Sequence, residues 1–186
     1  VEQSKDILQA AESVLDILRQ QRLDAVVIGA VALAAHRYVR QTADLDLGTN
    51  AGVEQLRELT RVLGAAGYKA ELREPDPDDP LGGVIDIEGP FGVMQVISYA
   101  GKFPAVIDDA LREAKLAVRP GGALMLVPLP HLIALKLYAG GTKSKADIVE
   151  LLIRNPDADL AHIRNTCEGY RLQGLDELIA EAESLR

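Results

Sequence analysis

The sequence predicts an α/β (α+β) fold: a small mixed sheet packed with helices over residues 1–127, followed by a helical C-terminal extension over residues 128–186. Three observations carry this expectation. Ile7, Leu8, Ala11, Val14, Leu15 and Leu18 recur at spacings of three and four, which predicts an amphipathic helix over residues 4–21 with Ser4 as its N-cap. Ala25-Val26-Val27-Ile28 is a β-branched run ending at Gly29, which reads as a strand buried on both faces and turned tightly into a helix over residues 30–38. Beyond Pro128-Leu129-Pro130 the apolar pattern is helical throughout, with one helix carrying Leu132, Ile133, Leu135 and Leu137. A second carries Ile148, Leu151 and Leu152, and a last one Leu175, Leu178, Ile179 and Ala182.

Between these anchors the elements follow in order. Residues 43–48 read as a second strand, and Thr49 or Asn50 can cap a helix whose core face is Val53, Leu56, Leu59, Val62 and Leu63, stopped by Gly67. Tyr68, Ala70 and Leu72 alternate with polar residues as in a half-exposed strand. Residues 74–80 hold three prolines that cannot donate to a ladder and so form a loop. Residues 84–88 and 93–98 make a hairpin around Gly89-Pro90-Phe91-Gly92, residues 104–113 a helix, and residues 116–127 a smaller hairpin around Arg119-Pro120-Gly121-Gly122.

Composition excludes several function classes. The 28 acidic residues outnumber the 20 basic ones, and the net charge of -8 argues against attachment to nucleic acid or anionic lipid by bulk electrostatics. No apolar stretch approaches the ~20 residues of a membrane span, and the polar, mixed-charge residues 1–6 show no leader pattern. The single Cys167 allows no intrachain disulfide or thiolate cluster, and a reducing cytoplasmic location is the expectation. Cys167 lies on a polar stretch, and neither His131 nor His162 has a partner at metal-ligand spacing.

The chemistry points to the acidic strands. Asp44 and Asp46 are two apart on one strand, so both carboxylates share a face, while Leu45 and Leu47 bury the other. The same alternation puts Asp86 and Glu88 on one face of their strand, with Ile85 and Ile87 opposite. If the two strands are neighbours, the carboxylates converge, and hard cations such as Mg²⁺ are the natural neutralisers. The triplets Asp76-Pro77-Asp78 and Asp157-Ala158-Asp159 fall in loops and read as solvated; residues 76–79 lack the spacing of a dedicated calcium loop.

These residues resemble a known family. Val27-Ile28-Gly29-Ala30, the helix running to His36, then Arg40, Thr42, Asp44 and Asp46, are similar to the opening signature of small nucleotidyltransferases of the DNA polymerase β superfamily. The branch most resembled holds the minimal nucleotidyltransferases and the AbiEii-type toxins. Val84-Ile85-Asp86 resembles its third-carboxylate strand, and residues 131–140 with Lys143 and Asp147 resemble its later helices, so the likeness spans roughly residues 25–152. It implies a nucleotidyltransferase-like fold and Mg²⁺-dependent transfer of a nucleoside monophosphate from an NTP to a hydroxyl on RNA, protein or a small molecule, with an antitoxin as candidate partner. Asp44, Asp46 and Asp86 would be catalytic and would hold two Mg²⁺ ions; Gly29, Ala30, Arg40, Thr42, Lys136 and Lys143 would bind the nucleotide. Glu88 is read as a solvated strand residue and His36 as structural. The departures at Ala30, Gly141 and Ser144 support an alternative, a weak or inactive relative used as a binding or antitoxin-like module.

Overall fold

The computed structural model describes residues 2–40 and 44–186. Its centre is a five-stranded mixed sheet of β1 (Ala25–Ile28), β2 (Asp44–Thr49), β3 (Lys69–Arg73), β4 (Val84–Gly89) and β5 (Gly92–Ser98), ordered β1-β2-β5-β4-β3. Among these five described strands, β2 and β5 pair in parallel and the other neighbours are antiparallel. The helices are α1 (Glu2–Gln20), α2 (Gly29–Ala35), α3 (Val53–Ala65), α4 (Pro104–Glu113), α5 (Leu129–Ala139), α6 (Gly141–Arg154), α7 (Leu160–Gly169) and α8 (Leu175–Ser184).

Period-two alternation gives the sheet one largely apolar face, whose polar members Thr49 and Ser98 are buried with their hydroxyls bonded to backbone carbonyls. Leu45 and Leu47 of β2, Met94 and Val96 of β5, and Ile85 and Ile87 of β4 are buried there. They share a core with Val14, Leu15 and Leu18 of α1 and Leu56, Leu59 and Leu63 of α3. Each such side chain contributes about 1.5–3 kcal/mol by leaving water. The opposite face is covered only in part. At its β1 end α4 packs closely, so that a Cβ on Gly48 would lie 2.9 Å from Ile107 Cδ1. Residues 125–127 close the outer edge of β1 through Val27 N to Met125 O (2.8 Å) and Val127 N to Val27 O (3.0 Å), which removes an unpaired edge. The expected small hairpin is present, with Val118 N donating to Leu124 O at 2.9 Å.

Several expected boundaries differ for physical reasons. The helix after Gly29 ends at Ala35, because Arg37 takes a positive φ of 66° and Tyr38 N turns back to Leu33 O at 2.9 Å. Neither Thr49 nor Asn50 caps α3. Thr49 is buried and its hydroxyl donates to Asp24 O (2.8 Å), Asn50 reaches Asp108, and the N-cap is Gly52, whose N–H donates to Gln55 Oε1 at 2.9 Å. The sequence reading missed α7, although the Asp159 N-cap accepting from His162 N and the Leu160, Ile163, Cys167 spacing signal it. Cys167 therefore sits in the core, not on a polar stretch, and burial pushes its thiol up to about 11. Asp76 Oδ1 accepts from the backbone of Asp78 and Asp79, an Asx turn that explains the acidic loop without a metal. No helix among the described residues is long and apolar enough to cross a membrane.

Candidate active site

The partly open sheet face is crossed by one row of residues in register: Ile28 of β1, Asp46 of β2, Gln95 of β5, Asp86 of β4 and Glu71 of β3. Asp46 is the half-buried member nearest the β1 turn, and Gly29 is pressed against it. A Cβ on Gly29 would fall 1.8 Å from Asp46 Oδ2, and its φ of 65° is one that side chains other than hydrogen rarely adopt. Gly29 is thus required twice, by the turn and by the close approach. Ala30, next to it, is buried at 5% exposure and turns its methyl to the interior.

Asp46 carries an electrostatic load. Burial raises its carboxyl pKa to about 6, the neighbouring Asp44 charge adds to the rise, and Lys136 and Arg40 oppose it. The two cations come from different places, Lys136 from α5 and Arg40 from the segment before β2. Both meet Asp147 of α6, with Lys136 Nζ at 2.7 Å and one Arg40 terminal nitrogen at 3.1 and 3.2 Å from the two carboxylate oxygens. Asp147 is buried, a placement that an isolated carboxylate could not sustain. Tyr99, just after β5, is also buried, and burial with the nearby Asp46 charge holds its hydroxyl well above the ordinary phenol range.

No protein-family model matches the chain, and no curated protein matches it significantly. Solved structures do. The structure of the antibiotic-resistance factor ANT(2'')-Ia aligns over 90% of this chain and 92% of its own at 16% identity, with a TM-score of 0.51. An antigenic nucleotidyltransferase-like protein from Paracoccidioides brasiliensis aligns over 90% and 88% at 14% identity, with a TM-score of 0.52. The fold is nucleotidyltransferase-like.

Within that fold the expected site residues separate into groups. Gly29, Asp46, Arg40 and Lys136 come together, and Asp44 lies exposed on the same strand face as Asp46. Asp86 does not join them. Strand β5 lies between β2 and β4, so Asp86 stands two strand spacings, roughly 10 Å, from Asp46. Gln95 fills the intervening position, and its Nε2 donates to Asp86 Oδ1 at 2.5 Å. On its other side Asp86 accepts from Arg73 Nε at 2.6 Å, and the Arg73 guanidinium holds its carboxyl below the usual carboxylate range. Lys143 is exposed on the first turn of α6, and Thr42 lies outside the described residues. Glu88 is an exposed partner of Lys69, as its solvated reading expects.

Among the described residues no group of three or more His, Cys, Asp or Glu side chains forms a set able to hold a metal. The Asp44–Asp46 pair by itself suits Mg²⁺, which is commonly held by one or two carboxylates with substrate phosphates and water completing the shell. The anion-disfavouring environment of Asp46 is what a cation would relieve. Asp147, which the resemblance matched to a helix segment without giving it a role, and Gln95 lie beside the candidate site and were not among its expected residues. Asp147 had a signal, a carboxylate at buried phase on an amphipathic helix; Gln95 had none until the strands were ordered.

His36 is structural. Its Nε2 lies 2.8 Å from Val127 O, and its own carbonyl accepts from Asn155 Nδ2 at 2.8 Å, tying α2 to the segment before α5 and to the end of α6. Burial lowers its pKa below the ordinary 6.5. Protons therefore bind the unfolded chain more readily, and the stability His36 contributes is present above pH ~6.5 and lost as pH falls below it. The stability advantage of wild type over His36→Gln, measured by urea denaturation, is expected to shrink from pH 8 to pH 5.5. An unchanged difference would show that the ring does not titrate with folding.

Proposed function

We propose that the protein transfers a nucleoside monophosphate from an NTP to a hydroxyl acceptor, using Mg²⁺ held by Asp44 and Asp46. The observation that carries this reading is the contact of Gly29 with Asp46, which brings the turn after β1 against a carboxylate flanked by Arg40 and Lys136. Mg²⁺, when bound, supplies charge neutralisation between carboxylates and phosphates. The chain's own part is placement: Asp44 and Asp46 are fixed on a rigid strand, Gly29 and Ala30 leave room for phosphate beside the turn, and Lys136 and Arg40 offset triphosphate charge. In the reaction the acceptor oxygen bonds to the α-phosphorus, the bond to pyrophosphate breaks, and the acceptor proton leaves to water at the open sheet face.

The net charge of -8, with Glu71, Asp86 and Glu88 on the strands beside the site, favours a protein side chain or small molecule over RNA as acceptor. The low aromatic content of 4% points the same way, since few rings are present to stack on bases. Membership of the AbiEii-type branch, and with it a toxin–antitoxin role, rests on the sequence resemblance; growth arrest on expression, relieved by Asp44→Ala, is its test.

A second reading, a weakly active or inactive binding module, is favoured by one feature. The sheet position beside Asp46 holds the amide Gln95, and Asp86 is engaged by Arg73. Labelled NTPs separate the two. The enzyme reading expects Mg²⁺-dependent binding and label transfer to an acceptor in total protein, RNA or metabolite fractions, both lost in Asp44→Ala. Binding without transfer to any fraction, or absence of NTP binding at millimolar Mg²⁺, selects the module and overturns the enzyme reading.

A further inference from the structure

We propose that Asp147 is a positioning residue for nucleotide phosphates, pinning Lys136 and Arg40 so that their charged ends face the Asp46 site. The proposal rests on the nucleotidyl-transfer reading and adds a residue to it. Three observations carry it. Asp147 is 3% exposed at its side chain, whereas Lys136 and Arg40 are 17% and 29% exposed, so the acid is sunk beneath two cations that both reach solvent. One carboxylate against two cations leaves a surplus positive charge, and both cations lie within electrostatic reach of Asp46. The cations also come from separate pieces of chain, Arg40 107 residues and Lys136 11 residues from Asp147 in sequence, and both bond its carboxylate.

Stability alone is a poor account of this trio, because a buried ion pair is commonly matched or exceeded by well-packed apolar residues of similar volume. A flexible lysine and an arginine that must meet a polyphosphate at fixed places gain from an anchor that removes their rotamer freedom before the ligand arrives. Asp147 sits in the core-facing phase of α6 beside buried Ile148, Leu151 and Leu152. Its own position is set by packing, so it can serve as the fixed point.

The test is calorimetric binding of Mg²⁺-tripolyphosphate and of the NTP, NDP and NMP of the base the wild type binds best. Asp147→Asn keeps the shape and removes the charge. It is expected to weaken NTP and tripolyphosphate binding about 10-fold or more, as loss of a partner that orients a ligating group commonly does, while NMP binding changes less than about twofold. If Asp147→Asn does not fold, Asp147→Glu retains the charge, displaces it by one methylene, and is expected to lose the same dependence on phosphate number. Equal weakening of NMP and NTP reveals a purely structural residue and overturns the proposal; so does unchanged or tighter NTP binding. Wild type that binds none of these probes overturns the functional reading itself, and this proposal with it.

Discussion

Gly29→Ala is expected to weaken Mg²⁺-dependent nucleotide binding and transfer at least 100-fold while costing the fold only about 1–2 kcal/mol. The two numbers have different origins. The stability cost comes from placing a Cβ at φ 65°, a left-handed conformation that costs L residues roughly 1–2 kcal/mol. The functional cost comes from space. The new methyl would lie 1.8 Å from Asp46 Oδ2 and 2.7 Å from its Cγ, so the carboxylate must move by an ångström or more. A displacement of about 1 Å in a positioned group costs on the order of 100-fold in rate. Urea denaturation and labelled-NTP binding on the same preparation check both. A folded Gly29→Ala protein that binds nucleotide as wild type does would show that Asp46 need not sit against the turn.

Asp46→Asn is expected to do the opposite to stability and the same to function. Asp46 has a folded-state pKa raised to about 6 from 3.8, chiefly by burial and then by the Asp44 charge. A raised carboxyl pKa contributes stability that is complete below the unfolded value and lost as pH rises through the folded one. At pH 7.5 the ionised Asp46 is therefore a liability, and replacing it with the neutral isostere is expected to stabilise the metal-free protein by roughly 1–3 kcal/mol. At pH 4 the gain is expected to be far smaller. Adding Mg²⁺ and NTP should raise the unfolding midpoint of wild type and leave that of Asp46→Asn unchanged. A variant no more stable than wild type at pH 7.5 would falsify the burial argument, and one still stabilised by Mg²⁺ and NTP would remove Asp46 from the site. The pairing of increased stability with lost binding is the pattern of a residue kept for function.

The local patterns behind the candidate site are legible in the sequence. The β-branched run to Gly29, the two-residue spacing of Asp44 and Asp46, and the apolar helix carrying Lys136 are all local patterns, and each survives in the structure at nearly the expected residues. Their meaning follows from backbone periodicity, which a sequence displays directly. Asp86 shows where this stops. Its placement on a strand face with Glu88 was readable, yet whether that face adjoins β2 depends on which strand pairs with which. The chain returns through β5 between them, and the residue meeting Asp46 across the sheet is Gln95.

Local pattern alone established the character of the strands and most helices, the side of β2 on which the two carboxylates stand, and the need for glycine after β1. Strand order, the distance of Asp86 from Asp46, and the meeting of Arg40, Lys136 and Asp147 were decided by tertiary structure. The physical reason is range. Periodicity and capping act within a few residues, whereas pairing and ion clustering join segments dozens of residues apart, chosen by which arrangement buries the most apolar surface while leaving each buried charge with a partner.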